Sequence, residues 1–242
     1  MSTALSAINQ TIRVLCAEVQ DRVQKDVDWL ALSEEALFYE IAVCIYGSQM
    51  LYEHALALAD YSRNQGMFSK AALFAGYDQY KKRLSCLFAR PLAITEEGKT
   101  RKITPRFKNR LPKLVSDTAR NIYGAGYTIK SMLRGASNAS EARQLLVSNV
   151  SGFGPKQASL YLRRIGYCSD LAVLDTHILD YLRMAGDIEV KPTSLSSLKK
   201  YETVESEFKR ISEDFGYGVG CVDLAMWITM RVAKREYATW VL

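Results

Sequence analysis

Ser151-Gly152-Phe153-Gly154-Pro155-Lys156 opens an amphipathic run that leads to Leu174-Asp175-Thr176-His177. Two glycines two apart let backbone amides form a small anion-binding nest, and Pro155 suits the first position of a helix. A phosphate can dock on such a turn. Lys156 then falls in the first turn of that helix, where the positive end of the helix dipole disfavours a cation, and a neutral amine is a nucleophile. Asp175 lies nineteen positions further on, directly before Thr176-His177-Ile178-Leu179. There it reads as an N-cap worth about 1 kcal/mol of helix stability. Each part also has a plain reading: Gly-x-Gly-Pro as an ordinary loop-to-helix junction, Lys156 as a solvated side chain, Asp175 as a cap alone. The combination of helix, glycine turn, lysine-led helix and aspartate at the next helix start is rarer than any part.

Outward from this stretch the chain reads as helical. Apolar side chains recur at helical spacing over residues 4 to 27, and Ser33-Glu34-Glu35 opens a second helix. A third runs from about Met50 through Tyr61, and another covers 69 to 87 with an interruption at Gly76. Ala89 to Pro105, with its polar run Thr95 to Lys102, is expected to be a mobile basic loop. Helices are expected over 108 to 123, 129 to 133 and 140 to 149, then after the hairpin, from Asp175 to Gly186, and over 199 to 215 and 220 to 236, with a polar linker at 190 to 197. No strand-type alternation of any length is visible, and there is no internal repeat.

The composition fits a globular protein that acts on a polyanion. The chain has 242 residues, 48% of them hydrophobic, enough for a proper core in one or two domains. A net charge of +6 favours nucleic acid or another anionic surface, although many basic proteins bind neither. Cys16, Cys44, Cys86, Cys168 and Cys221 are odd in number and scattered, which points to reduced thiols. The amino-terminal segment carries no secretory pattern and no window approaches the roughly 20 apolar residues of a membrane span. A cytoplasmic, nucleoid-associated protein is expected, with no membrane contact. Gly216-Tyr217-Gly218-Val219-Gly220 lacks the preceding strand of a dinucleotide loop and reads as an interhelical turn. His54 and His177 are not at metal spacing, so no metal site is expected.

Residues 141 to 180 resemble the helix-hairpin-helix DNA glycosylases. Gly152, Phe153 and Gly154 match the family's hairpin, Lys156 the nucleophilic lysine of its bifunctional members, and Asp175 its catalytic acid. His177 stands where 8-oxoguanine glycosylases often carry a histidine. Arg106-Phe107-Lys108-Asn109-Arg110 and Val222-Asp223-Leu224-Ala225-Met226-Trp227 are similar to segments of the archaeal and bacterial 8-oxoguanine glycosylases, although the last arginine of the first comes one residue early and Pro112 intrudes. The similarity covers the last two-thirds of the chain, the N-terminal third aligning only loosely. Only Cys221 lies near the carboxyl end, so the four-cysteine cluster of the endonuclease III branch is not expected.

The resemblance implies an all-α, two-lobed helical fold with a DNA- and base-binding cleft between the lobes, one lobe over 33–170 and the other pairing 1–32 with 171–242. It implies a bifunctional glycosylase and AP lyase that flips a base out of duplex DNA. Lys156 attacks the anomeric carbon, Asp175 stabilises the positive charge that develops on the sugar, and β-elimination then cuts the strand. Oxidised guanine is the best-matched base; a modified cytosine in foreign DNA is the alternative substrate, and a noncatalytic hairpin module that only grips DNA is the alternative class. By the same analogy Gln49 fills the gap left by the flipped base, and Arg106, Asn109, Arg110 and His177 contact DNA. Asp223 and Trp227, four apart on one helix face, line the base pocket. Each also has a bland reading, Gln49 as a turn residue, the arginines as surface charges and Trp227 as core. No cofactor is implied beyond a monovalent cation at the hairpin carbonyls, and a monomer acting on double-stranded DNA is expected.

Overall fold

Local capping chemistry sets several helix boundaries in the computed structural model, which describes residues 3–23, 27–48, 50–96, 99–104, 107–186 and 195–240. In chain order the elements are α1 (Thr3–Val23), α2 (Glu34–Gly47), α3 (Tyr52–Asn64), α4 (Lys70–Leu73), α5 (Tyr77–Phe88), β1 (Leu92–Glu96), β2 (Lys99–Ile103), α6 (Arg110–Ile122), α7 (Ile129–Arg134), α8 (Ala139–Asn149), α9 (Pro155–Arg164), α10 (Thr176–Ala185), α11 (Leu198–Phe215) and α12 (Val219–Trp240). The Ser33 hydroxyl accepts the Ala36 amide to start α2, and the Asn138 side chain accepts the Glu141 amide to start α8. Gly186 and Gly216, at φ of 79° and 78°, end α10 and α11 in the left-handed conformation that glycine adopts without a Cβ penalty.

The chain divides into two units, an internal one of Asp28–Tyr161 and a terminal one that joins Met1–Val27 to Leu162–Leu242. The expected divisions stood at 32/33 and 170/171; the observed second one falls inside α9. Within the internal unit α2 is buried from Leu37 through Ile41 to Tyr46, and aromatic rings close around it, Phe38 against Phe68 at 5.6 Å and Tyr46 against Phe88 at 5.5 Å. Each such side chain contributes about 1.5–3 kcal/mol on burial. Glu34 belongs to the first turn of α2, yet its carboxylate also accepts the Tyr123 hydroxyl at 3.1 Å and the amides of Ile129 and Lys130 at 3.0 Å each, capping α7 from outside.

The expected basic loop over 89 to 105 is instead, in part, a two-stranded antiparallel sheet, with Leu92 opposite Ile103 and Glu96 opposite Lys99. Its strands are five residues each, β1 mostly apolar with one charge and β2 with three, so neither is long enough to carry the apolar alternation by which sequence alone reveals a strand. Val27, expected within the first helix, lies outside it, and residues 24–26 are outside the described residues. Pro112 causes no break: it is the third residue of α6, within the first turn, where its missing N–H has no intrahelical acceptor to lose. Buried Asp117 accepts the Tyr77 hydroxyl at 2.9 Å and pairs with Lys113 at 2.5 Å and Arg120 at 3.2 Å, joining α5 to α6. Burial alone would raise its pKa; the hydrogen bonds from Lys113 and Tyr77 and the two cationic charges hold it below the usual carboxylate value.

In the terminal unit α1, α10 and α11 pack on α12 around Ile12, Ile178, Tyr201, Phe208, Val222 and Met226. All five cysteines are free, and burial pushes the Cys16 thiol up to about 12, which keeps it protonated. Among the described residues no helix is long and apolar enough to cross a membrane.

Candidate active site

The hairpin is built in the internal unit from α8, the turn 150–154 and the start of α9. Its amides alternate in use. The Ser151 amide donates to the Thr118 hydroxyl at 3.0 Å and the Phe153 amide to the Val150 carbonyl at 3.1 Å. Among the described residues the Gly152 and Gly154 amides donate to no protein acceptor, so both are free for an external anion at the N-terminus of α9. Phe153 is buried and lies 6.3 Å from the Tyr161 ring, which anchors the turn as an apolar plug. Beneath it Arg143, only 1% exposed, donates to the Ser159 hydroxyl at 3.2 Å, and that hydroxyl donates to the Pro155 carbonyl at 2.9 Å. The two helices of the motif are thereby tied behind the glycines. Lys156 is half-buried in the first turn of α9.

The two glycines differ in what they require. Gly152 has φ of 89°, and a Cβ there would stand 3.2 Å from the Leu114 side chain; Gly154 has ordinary φ and open space. Gly152→Ala is therefore expected to cost about 1–2 kcal/mol of strain, read as a lower thermal midpoint. Gly154→Ala is expected to keep the midpoint and weaken DNA binding, because its methyl group occupies the space a phosphate would enter. Equal midpoints for the two variants would contradict this reading.

Asp175 is positioned in the terminal unit by a segment whose every amide from 172 to 175 is engaged. The Ala172 amide donates to Glu205 at 2.9 Å, the Val173 amide to Asp223 at 2.6 Å, the Leu174 amide to the Tyr201 hydroxyl at 3.1 Å and the Asp175 amide to the Val173 carbonyl at 2.7 Å. The Tyr201 hydroxyl in turn donates to the Ala172 carbonyl at 2.8 Å. Asp175 itself caps α10, and both bonds, from the His177 amide at 2.8 Å and the Ile178 amide at 3.0 Å, fall on Oδ1. The cap therefore leaves Oδ2 for chemistry, so the two readings of this aspartate are compatible.

His177 and Trp227 come together, their rings edge to face at 6.2 Å, and the Arg231 guanidinium lies 5.0 Å over the indole. The His177 Nδ1 is buried and has no hydrogen-bond partner among the described residues. Asp223, expected to line the base pocket with Trp227, is engaged within the protein. It is 5% exposed, Oδ2 holds the Val173 amide, and Oδ1 meets the Arg163 guanidinium at 2.8 Å as an ion pair rather than an aligned hydrogen bond. Burial pushes its pKa up, Arg163 and the Val173 amide pull it down, and the nearby Asp175 charge adds to the rise. Arg163, which also donates to the Gly220 carbonyl at 3.0 Å, was not visible as a site residue from sequence, nor were Tyr201 and Glu205. Their only signal was polar side chains on apolar helix faces.

Asn109 and Arg110 stand exposed at the start of α6, and Asn109 makes no capping bond with its side chain. Gln49 and Arg106 lie outside the described residues.

Residues 89–217 match the family model described as 8-oxoguanine DNA glycosylase. The 8-oxoguanine DNA glycosylase/AP lyase of Sulfurisphaera tokodaii is 31% identical over 193 residues, 79% of this chain and 80% of that protein. The protein of the same name from Thermoplasma volcanium is 31% identical over 195 residues, 81% and 80% of the respective lengths. Among solved structures, the 8-oxoguanine DNA glycosylase of Methanocaldococcus jannaschii aligns with a TM-score of 0.67 at 24% identity, covering 93% of this chain and 94% of its own. That of Thermotoga maritima gives 0.66 at 22%, covering 92% and 95%. These two structures share the fold.

Proposed function

This chain belongs to the 8-oxoguanine DNA glycosylase family, and from that premise we propose that it is a bifunctional DNA glycosylase and AP lyase for oxidised guanine in duplex DNA. The observation that carries the reading is the hairpin, where two unengaged glycine amides immediately precede Lys156. In the proposed reaction the Gly152 and Gly154 amides hold a backbone phosphate while the base leaves the stack at a cost of a few kcal/mol. Lys156 attacks the anomeric carbon, the base departs with the glycosidic electron pair, and a Schiff base forms on the opened sugar. The carboxylate of Asp175 stabilises the positive charge on the sugar, and loss of the neighbouring proton cuts the strand.

Trp227, braced by His177, is the stacking platform for the purine, and Asp223 acts behind it by holding the segment that leads to Asp175. Asn109 and Arg110 contact the DNA backbone. A monovalent cation would be held by the Ser151, Gly152 and Phe153 carbonyls, which accept no protein hydrogen bond among the described residues. The protein acts as a monomer on cytoplasmic, nucleoid DNA.

The test is incision of a duplex with 8-oxoguanine opposite cytosine. Wild-type protein cuts the damaged strand and leaves an undamaged duplex intact; equal cutting of both, or of neither, would refute the proposal. Asp175→Asn keeps a side-chain acceptor for the cap and removes the charge. Its single-turnover base release is expected to fall by about 10²–10³-fold with little loss of stability. A fall in the thermal midpoint with an unchanged rate would reduce Asp175 to a cap.

A further inference from the structure

The positive charge of the chain is concentrated in one segment of the internal unit. Between Asp78 and Lys113 stand eleven Lys or Arg against three Asp or Glu, whereas the whole chain carries 32 against 26, so the remainder is slightly acidic. Part of this charge forms a surface. On α5, Gln79, Lys82 and Arg83 share the exposed side of the helix and Arg90 continues it just beyond the end, while Tyr80 and Leu84 on the opposite side are buried. The exposed side borders a groove of about 330 Å³ floored by Met67 and Leu87. No carboxylate lines it, and among the described residues none of its three cations enters an ion pair. Lys82 and Arg83 are sequence neighbours and Arg90 follows about two turns on, so like charges share one side of the helix, a repulsion that an anionic partner removes.

The surface has a defined relation to the hairpin within the same unit. Tyr77 at the start of α5 bonds Asp117 of α6, and the adjacent side of α6 supports the hairpin through Leu114 beside Gly152 and Thr118 beneath Ser151. Packed helices stand about 8–10 Å apart, and a DNA strand carries a phosphate every 3.4 Å or so along the duplex axis. The hairpin and the cationic face of α5 thus belong to one unit and are joined through α6.

We infer that the face of α5 formed by Lys82, Arg83 and Arg90 is a second duplex-DNA surface, which binds phosphates flanking the hairpin site and supplies lesion-independent affinity. The inference rests on the glycosylase reading. It differs from the hairpin contact in kind: the glycine amides grip one phosphate, whereas this face follows the backbone of any sequence by charge, with Gln79 as an additional donor.

The test compares wild type with Lys82→Gln/Arg83→Gln/Arg90→Gln on a long undamaged duplex across a salt series, with Lys199→Gln/Lys200→Gln on α11 as a control for net charge. All the replaced side chains are exposed, and equal thermal midpoints verify folding. The triple variant is expected to bind with a slope of log affinity against log salt shallower by about 2.7, or about 0.9 for each phosphate no longer neutralised, and the control with an unchanged slope. A wild-type slope retained by the triple variant overturns the inference and leaves the glycosylase reading standing. No duplex binding by wild type overturns both. Polyglutamate serves as the second probe. If wild type binds it, the triple variant does not, and the DNA slopes agree, the face belongs to an acidic protein partner and the inference is wrong.

Discussion

Lys156→Gln is expected to bring strand incision at 8-oxoguanine down to the uncatalysed level, a loss of at least about 10³-fold, because the substitution removes the group proposed to form the covalent bond. Duplex binding should change little. Lys156 supplies at most one phosphate contact, so the salt slope falls by no more than about 0.9. A hairpin that merely grips DNA, the alternative reading of the motif, gives a wild-type protein that binds and never cuts. The separation of a lost reaction from a retained affinity is therefore specific to the nucleophile. Rapid-quench incision and a binding titration on the same duplex measure the two quantities.

Arg163→Gln is expected to cost about 3–5 kcal/mol of stability at neutral pH, because it leaves the buried Asp223 charge uncompensated. The pH dependence has a definite sign. Burial raises the folded-state pKa of Asp223 above its unfolded value, so its protonation favours the fold at low pH and that contribution is lost as pH rises through the folded pKa. Without Arg163 that pKa rises further. The deficit of the variant should therefore shrink as pH falls below neutrality, and adding Asp223→Asn should restore much of the stability at pH 7 while still accepting the Val173 amide. Urea unfolding at two pH values measures this. A deficit independent of pH, or no rescue by the second substitution, would show that packing rather than charge sets the cost.

The parts of the site that were legible in the sequence are local ones. The hairpin glycines, Pro155, Lys156 and the Asp175 cap all act within a few residues of themselves, so their spacing carries the information. What was not legible depends on partners distant in the chain. Glu34 looks like an ordinary first-turn acid, and its capping of α7 at Ile129, 95 residues away, has no sequence signature. Asp223 and Trp227 were rightly placed on one helix, but the engagement of the carboxylate by Arg163 and by the Val173 amide 50 residues away had no sequence signature. The strands at 92–96 and 99–103 escaped because five residues each are too few to show an alternation, and their pairing rests on backbone hydrogen bonds that leave no pattern in side-chain polarity.

In the proposed mechanism Asp175 serves structure and chemistry together. Its Oδ1 is spent on two amides at the N-terminus of α10, which fixes the carboxylate, and Oδ2 is left outside the cap. The preceding segment is clamped by Glu205, Asp223 and Tyr201, so the carboxylate is oriented before any substrate arrives. Such preorganisation is what makes a single charge effective against a developing cation.

The most direct measurement is borohydride trapping of the purified protein on a labelled duplex with 8-oxoguanine opposite cytosine, beside an abasic duplex, with Lys156→Gln in parallel. A covalent adduct on the lesion that disappears with Lys156 is the predicted result. An adduct on the abasic duplex alone would retain the lysine chemistry and refute oxidised guanine as the substrate, and the absence of an adduct on either duplex, or its persistence in Lys156→Gln, would contradict the mechanism itself.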